Sequence, residues 1–188
     1  MTVISFFIEE WKQFAEKHQG VVEVYKTGVN PVGFGLSVWG NLSMTIPYRD
    51  SNIVFKTSEA SSVKIFYDFQ KDLQLNFLIY PEDYMDKIGK IFNLKKEIKV
   101  NDAQFDKQFF IQSDNEQLVE SLLCEEIKSF LIENRARIAN YKLDLKEDSS
   151  VLEYNAPFDE SNIPLMEQIL SFMKKTVDHI LDYHNKNH

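Results

Sequence analysis

Between Val63 and Ile79 every second residue is large and apolar: Val63, Ile65, Tyr67 and Phe69, then Leu73, Leu75, Phe77 and Ile79. Only an extended chain places residues two apart on one side, so this run demands β-structure with one dry face. Lys64, Asp68, Gln70, Gln74 and Asn76 fall between and mark the wetter face. A three-residue loop at Gln70-Lys71-Asp72 pairs Phe69 with Leu73 and keeps all eight apolar residues together, which predicts an antiparallel hairpin.

Parity tests other stretches in the same way. Phe34, Leu36, Val38, Leu42, Met44, Ile46 and Tyr48 all occupy even positions. A two-residue turn at Gly40-Asn41 would pair Trp39 with Leu42 and split that set between two faces. A continuous bent strand or an odd-length loop is expected instead, with Ile53 and Phe55 on the next strand. Tyr141, Leu143 and Leu145 alternate, as do Leu152, Tyr154 and Ala156, and a loop over Glu147 to Ser150 that pairs Leu145 with Leu152 makes a second hairpin.

Helical spacing appears at both ends. Ile4, Phe7, Ile8, Trp11, Phe14 and Ala15 form a stripe within Thr2 to Gln19, and Gly20 fits its stop. Met166, Ile169, Leu170, Met173, Val177, Ile180 and Leu181 form another, started by Ser161 or Asn162 with Pro164 in the first turn. A middle helix is read from Ser113-Asp114 to about Arg135, with Glu116 or Gln117 completing a capping box. Its stripe is Leu118, Val119, Leu122, Leu123, Ile127, Phe130 and Leu131. Val21 to Tyr25, Glu97 to Val100 and Phe109 to Gln112 read as short strands, Gly28 to Gly35 as a turn-rich connection, and Pro81 to Phe92 as a short helix. Together these predict a single α+β domain over residues 1–188: an antiparallel sheet of two or more hairpins packed against N-terminal, middle and C-terminal helices.

Composition bears on function mainly by exclusion. A formal charge of -8 repels a phosphate backbone, so nucleic acid is not an expected partner. No apolar run approaches the length of a membrane span. Glu9 and Glu10 interrupt the first apolar stretch, which therefore reads as a helix and not a leader. The single Cys124 suits a reducing compartment, with the cytoplasm expected.

Candidate chemistry is sparse. The glycines of Gly28 to Gly35 lack a Gly-Lys-Ser/Thr ending and lead into a strand, so they read as a turn and not a phosphate cradle. Asp102, Asp106 and Asp114 are the carboxylates closest to a divalent-metal set; the competing reading has each accepting backbone N–H groups at a turn or helix start. Glu82, Asp83 and Asp86 suit a helix start, and Asp178, His179, Asp182, His184 and His188 read as surface residues of the last helix. Cys124 is placed mid-helix between an apolar stripe and two glutamates, which does not activate a thiol. No catalytic residue and no cofactor is expected.

Phe105 to Leu123, FDKQFFIQSDNEQLVESLL, resembles an uncharacterised bacterial domain family with the pattern Phe-Asp-x-x-Phe-x-Ile/Val-x-Ser/Ala-Asp before a leucine-pair helix. The similar layout runs from Val21 to His184, with the Tyr80-Pro81 strand exit and an Ile88-Gly89-Lys90 helix. Here Asn115 stands where the family more often has a second Asp, and Cys124 where Thr is common. Many members look membrane-attached through segments not seen in this chain. The resemblance implies no activity. The expected role is a non-enzymatic module that binds a protein partner or itself; the rivals are a divalent-metal enzyme using the three aspartates and a small-ligand carrier with an aromatic pocket.

Overall fold

The computed structural model describes residues 8–31, 36–58, 61–84, 97–156 and 162–187. Its strands are β1 Val21–Pro31, β2 Leu36–Tyr48, β3 Ser51–Ser58, β4 Ser61–Asp68, β5 Phe77–Pro81, β6 Phe109–Ser113, β7 Asn140–Lys146 and β8 Ser149–Ala156. They form one antiparallel sheet in the order β1-β2-β3-β4-β8-β7-β5-β6. The helices are α1 Ile8–Lys17, α2 Ala103–Asp106, α3 Glu116–Leu122, α4 Glu125–Glu133 and α5 Ile163–Asn187. An α+β fold with helices at both ends and in the middle is what the patterning predicts. Ile4, Phe7, Asp86, the Ile88-Gly89-Lys90 segment and the 32–35 part of the glycine stretch lie outside the described residues.

Alternation sets the layers. Met44, Phe55, Ile65, Tyr154, Tyr141, Ile79 and Ile111 are successive neighbours across seven paired strands, and all are buried. α1 and α5 cover this row. Trp11 and Phe14 set their rings 6.4 and 6.3 Å from Phe55, and Phe172 lies 5.1 Å from Tyr141 and 5.7 Å from Tyr154. The clamp between the two helices is ionic: Glu167 on α5 accepts from Lys17 and lies 3.1 Å from His18 Nε2. Tyr48 and Arg49, at the β2–β3 turn, donate to Asp178 at 2.7 and 2.9 Å.

β2 is continuous through Gly40-Asn41, one of the two arrangements that parity allows. The hairpin expected at Gln70-Lys71-Asp72 does not form. β4 pairs with β8 and β5 with β6 and β7, so the β7–β8 hairpin sits between them. All eight alternating residues are nevertheless buried, because a crossover that keeps parity satisfies the same burial as a hairpin. The connecting segment is tied to Ser150 instead: Phe69 N donates to Ser150 O at 3.0 Å, Ser150 N to Lys71 O at 2.8 Å, and Leu73 N to Ser150 Oγ at 2.9 Å. Asp68 and Asp72 each accept the amide two residues on, stabilising Gln70 and Gln74 at positive φ.

Other boundaries also shift. The β7–β8 turn is two residues, Glu147-Asp148, which places Leu145 against Ser150 and Leu143 against Leu152; Leu145 is consequently half-exposed. β1 runs on through Gly28 to Pro31, with a register irregularity between Lys26 and Val29 in place of the expected turn. Pro81 ends a strand, followed by a single helical turn at Glu82–Tyr84. Of the strand expected at Glu97 to Val100, a single bridge from Glu97 to Gln112 remains.

The middle helix is two helices. Asn115, not Ser113 or Asp114, caps α3 by accepting Leu118 N at 2.8 Å, and Tyr183 from α5 donates to the same oxygen. The chain leaves helical geometry at Leu123-Cys124 and starts again at α4. Glu125 and Glu126 occupy the first turn of α4, where the helix dipole favours acids.

Candidate functional site

The sheet face turned away from α1 and α5 holds an open trough. Pairing places Val21, Thr45, Val54, Phe66, Glu153 and Lys142 in one row across β1, β2, β3, β4, β8 and β7. The next row is Glu23, Ser43, Lys56, Lys64, Asn155 and Asn140. Two adjoining clefts of about 640 and 470 Å³ lie over these rows and share Lys56, Lys64 and Phe66.

Lys56 and Lys64 are direct cross-strand partners. Like charges placed so are unfavourable, and among the described residues neither lysine makes an ion pair. Lys56 Nζ instead lies 4.9 Å from the Phe66 ring centroid. Two more ammonium groups extend the patch. Lys142 Nζ is 3.5 Å from Glu153 and 3.6 Å from Asp144, and Lys146 also contacts Glu153. Burial, then the ammonium groups of Lys142 and Lys64, pull Lys146 below the ordinary lysine pKa, with Asp144 opposing. The clefts also carry carboxylates, Glu23 in one and Asp68, Glu147 and Glu153 in the other, so the positive charge without an ion-pair partner among the described residues is that of Lys56 and Lys64. Sequence reading assigned Lys64 to a wet face and passed over Lys56, because their opposition exists only once the β3–β4 register is known.

Each of the three aspartates has partners of its own. Asp102 caps α2, accepting from Gln104 N and Phe105 N, and binds Lys128 Nζ of α4 at 2.7 Å. Asp106 accepts Val100 N at 3.0 Å, and Asp114 accepts Asn76 Nδ2 at 2.7 Å. Two of the three thus serve backbone amides, while Asp114 holds a loop side chain instead of capping a helix. Among the described residues no group of three His, Cys, Asp or Glu side chains is arranged to hold a metal ion. Cys124 is not mid-helix: it stands at the α3–α4 break, half-buried, with Sγ 3.8 Å from His179 Nε2.

Asp102 carries a pH signature. The Lys128 ammonium, then the Phe105 N–H, hold its carboxyl below the ordinary carboxylate pKa. A lowered folded pKa contributes stability that is present above the unfolded value and lost as pH falls through the folded one. Asp102→Asn is therefore expected to flatten the acid limb of a urea-midpoint against pH series relative to the native chain. An unchanged limb contradicts the assignment.

Aromatic side chains fill the space between α4, α5 and the sheet around Phe172. Phe130 stacks on Phe172 at 4.1 Å, and Phe172 covers Tyr141 and Tyr154. The Tyr154 hydroxyl is buried without a hydrogen-bond partner, and burial raises the pKa of both tyrosines, with Thr176 opposing at Tyr141.

Fold and site together define an open antiparallel sheet with α1 and α5 on one face and, on the other, a trough centred on the Lys56–Lys64 pair. Among solved structures, the chain is similar to the crystal structure of the mycobacterial trehalose monomycolate transport factor A, TtfA. The TM-score is 0.50 at 8% identity, covering 94% of this chain and 92% of that one. At that identity the likeness shows a shared fold. No family model matches the sequence, and no curated protein matches it. Among the described residues no helix is long and apolar enough to cross a membrane.

Proposed function

We propose that this chain is a non-enzymatic protein-binding module whose sheet face receives an acidic segment of a partner at Lys56 and Lys64. The observation that carries the reading is the Lys56–Lys64 pair, held opposite without an ion-pair partner among the described residues. Its repulsion costs stability in the free protein, and a carboxylate arriving between the two ammonium groups reverses the sign. Phe66 and Val54 supply apolar contact beside it, so the fitting segment alternates acidic and apolar side chains. The chain's net charge of -8 keeps acidic molecules off the rest of the surface, so the charge pattern serves selectivity more than raw affinity. Acidity alone suggests basic partners; the trough favours the opposite choice.

The reading includes a reducing, cytoplasmic setting, supported by the free thiol of Cys124. It also includes kinship with the uncharacterised bacterial domain; in support, Phe105 and Phe109 of the shared motif stack at 4.8 Å. The likeness to TtfA concerns the fold, and the transport in its description belongs to that protein.

Lys56→Glu separates this role from a structural one. The change turns a repulsive cross-strand pair into a complementary one, so stability should rise by roughly 0.2–1 kcal/mol. Affinity for a fluorescent polyglutamate peptide, read by anisotropy, should meanwhile fall at least about tenfold, and native binding should weaken with added salt. Equal peptide affinity for the two proteins rejects the proposal.

A further inference from the structure

Of the four large hydrophobic side chains exposed among the described residues, three stand on one strand: Val21 at 64%, Val24 at 44% and Tyr25 at 50%. That strand is β1, which lies at the edge of the sheet, and among the described residues no strand pairs with its outer side. Edge strands are ordinarily kept short, charged or covered, because their unpaired N–H and C=O groups template further pairing. β1 is eleven residues long and does the reverse over its first half.

The exposed residues fall on both faces. Val24 shares the helix side with its partner Leu42, whereas Val21 and Tyr25 share the trough side with Thr45 and Asn41. A helix or loop laid on one face covers only half of this surface. A strand added along the edge covers all of it and satisfies the backbone as well.

We propose that the strand is β1 of a second copy, paired antiparallel about a two-fold axis through Val24 and normal to the sheet. Such an axis keeps each sheet face continuous, which requires paired residue numbers of equal parity. Centring on Glu23 sets two carboxylates directly opposite and is disfavoured. Centring on Val24 sets valine against valine and puts Glu23 of each copy opposite Tyr25 of the other. These two groups already recognise each other within a chain, where Tyr25 Oη donates to Glu23. The result is a sheet continuous across the dimer, with the Lys56–Lys64 troughs of both copies on the same side.

Sedimentation velocity over a wide concentration range tests the association. The native chain should pass from monomer to dimer, and Val24→Lys, a substitution at a half-exposed position, should remain monomeric with an unchanged far-ultraviolet spectrum. Crosslinking tests the register. In a Cys124→Ser background, Val24→Cys places two thiols at the axis with Cα atoms about 4.5–5.5 Å apart, within disulfide range. Mild oxidation should link it as a dimer, whereas Val21→Cys, well off the axis, should not link. A native chain that stays monomeric throughout, a dimer indifferent to Val24→Lys, or equal crosslinking at both positions overturns the proposal.

Discussion

Trp11→Ala is expected to cost about 3–5 kcal/mol, the range for removing a fully buried aromatic side chain. Trp11 is fully buried, makes an edge contact with Phe55, and shares the docking of α1 with Phe14 and Ala15 alone among that helix's fully buried residues. A ten-residue helix is too short to persist unaided, so its structure depends on that docking. The loss should consequently be local before it is global. Hydrogen exchange should show the α1 amides opening first while the β3, β4 and β8 amides stay protected, with the full deficit appearing in chemical denaturation. Uniform loss of protection across the sheet would show instead that α1 is part of the cooperative core.

Phe172→Ala should cost a similar amount, about 3–5 kcal/mol, by a different route. Phe172 is the hub where α5 meets the sheet and α4: it stacks on Phe130 and touches Tyr141 and Tyr154. α5 is anchored along its length by Met166, Ile169, Leu170, Met173, Val177 and Ile180, all buried, so it cannot undock for want of one ring. The variant should unfold in one transition at a lower denaturant midpoint, and the gap it leaves borders Tyr141 and Tyr154, whose buried hydroxyls can bind water. Water entering that gap gains partners there, which holds the cost toward the lower end. Adding Tyr141→Phe and Tyr154→Phe removes those partners, dries the cavity and separates the hydroxyl contribution from the packing contribution.

Burial was the legible part of this sequence, since a period of two or of three to four is written in local composition. Val63 to Ile79 declared its buried set without error, yet its strand neighbours were wrong, because a non-local insertion between β4 and β5 leaves the same alternation behind. The break at Leu123-Cys124 has no Gly or Pro to announce it; only Glu125-Glu126, a helix-start signature overlooked in favour of an unbroken stripe, carried a hint. Gly20 was read as a helix stop. Gln19 makes the positive-φ turn instead, and Gly20 is needed because a Cβ there would lie 2.5 Å from Thr45 O. The lysine trough was invisible for a related reason: opposition across strands is a property of register, and no window along one strand contains it.

The strand order also sets a timetable for synthesis. β1 to β4 emerge first and pair in sequence, but the edge of β4 that will receive β8 stays open until residues 149–156 have left the ribosome. β5 and β6 likewise wait for β7 to link them to the remainder. Until the last third of the chain is made, the nascent protein is two unfinished sheets, each with a bare edge and an apolar face not yet roofed by α5. Such intermediates invite pairing with other chains. The β7–β8 hairpin is therefore the piece that closes both bare edges at once and joins the two halves into one sheet.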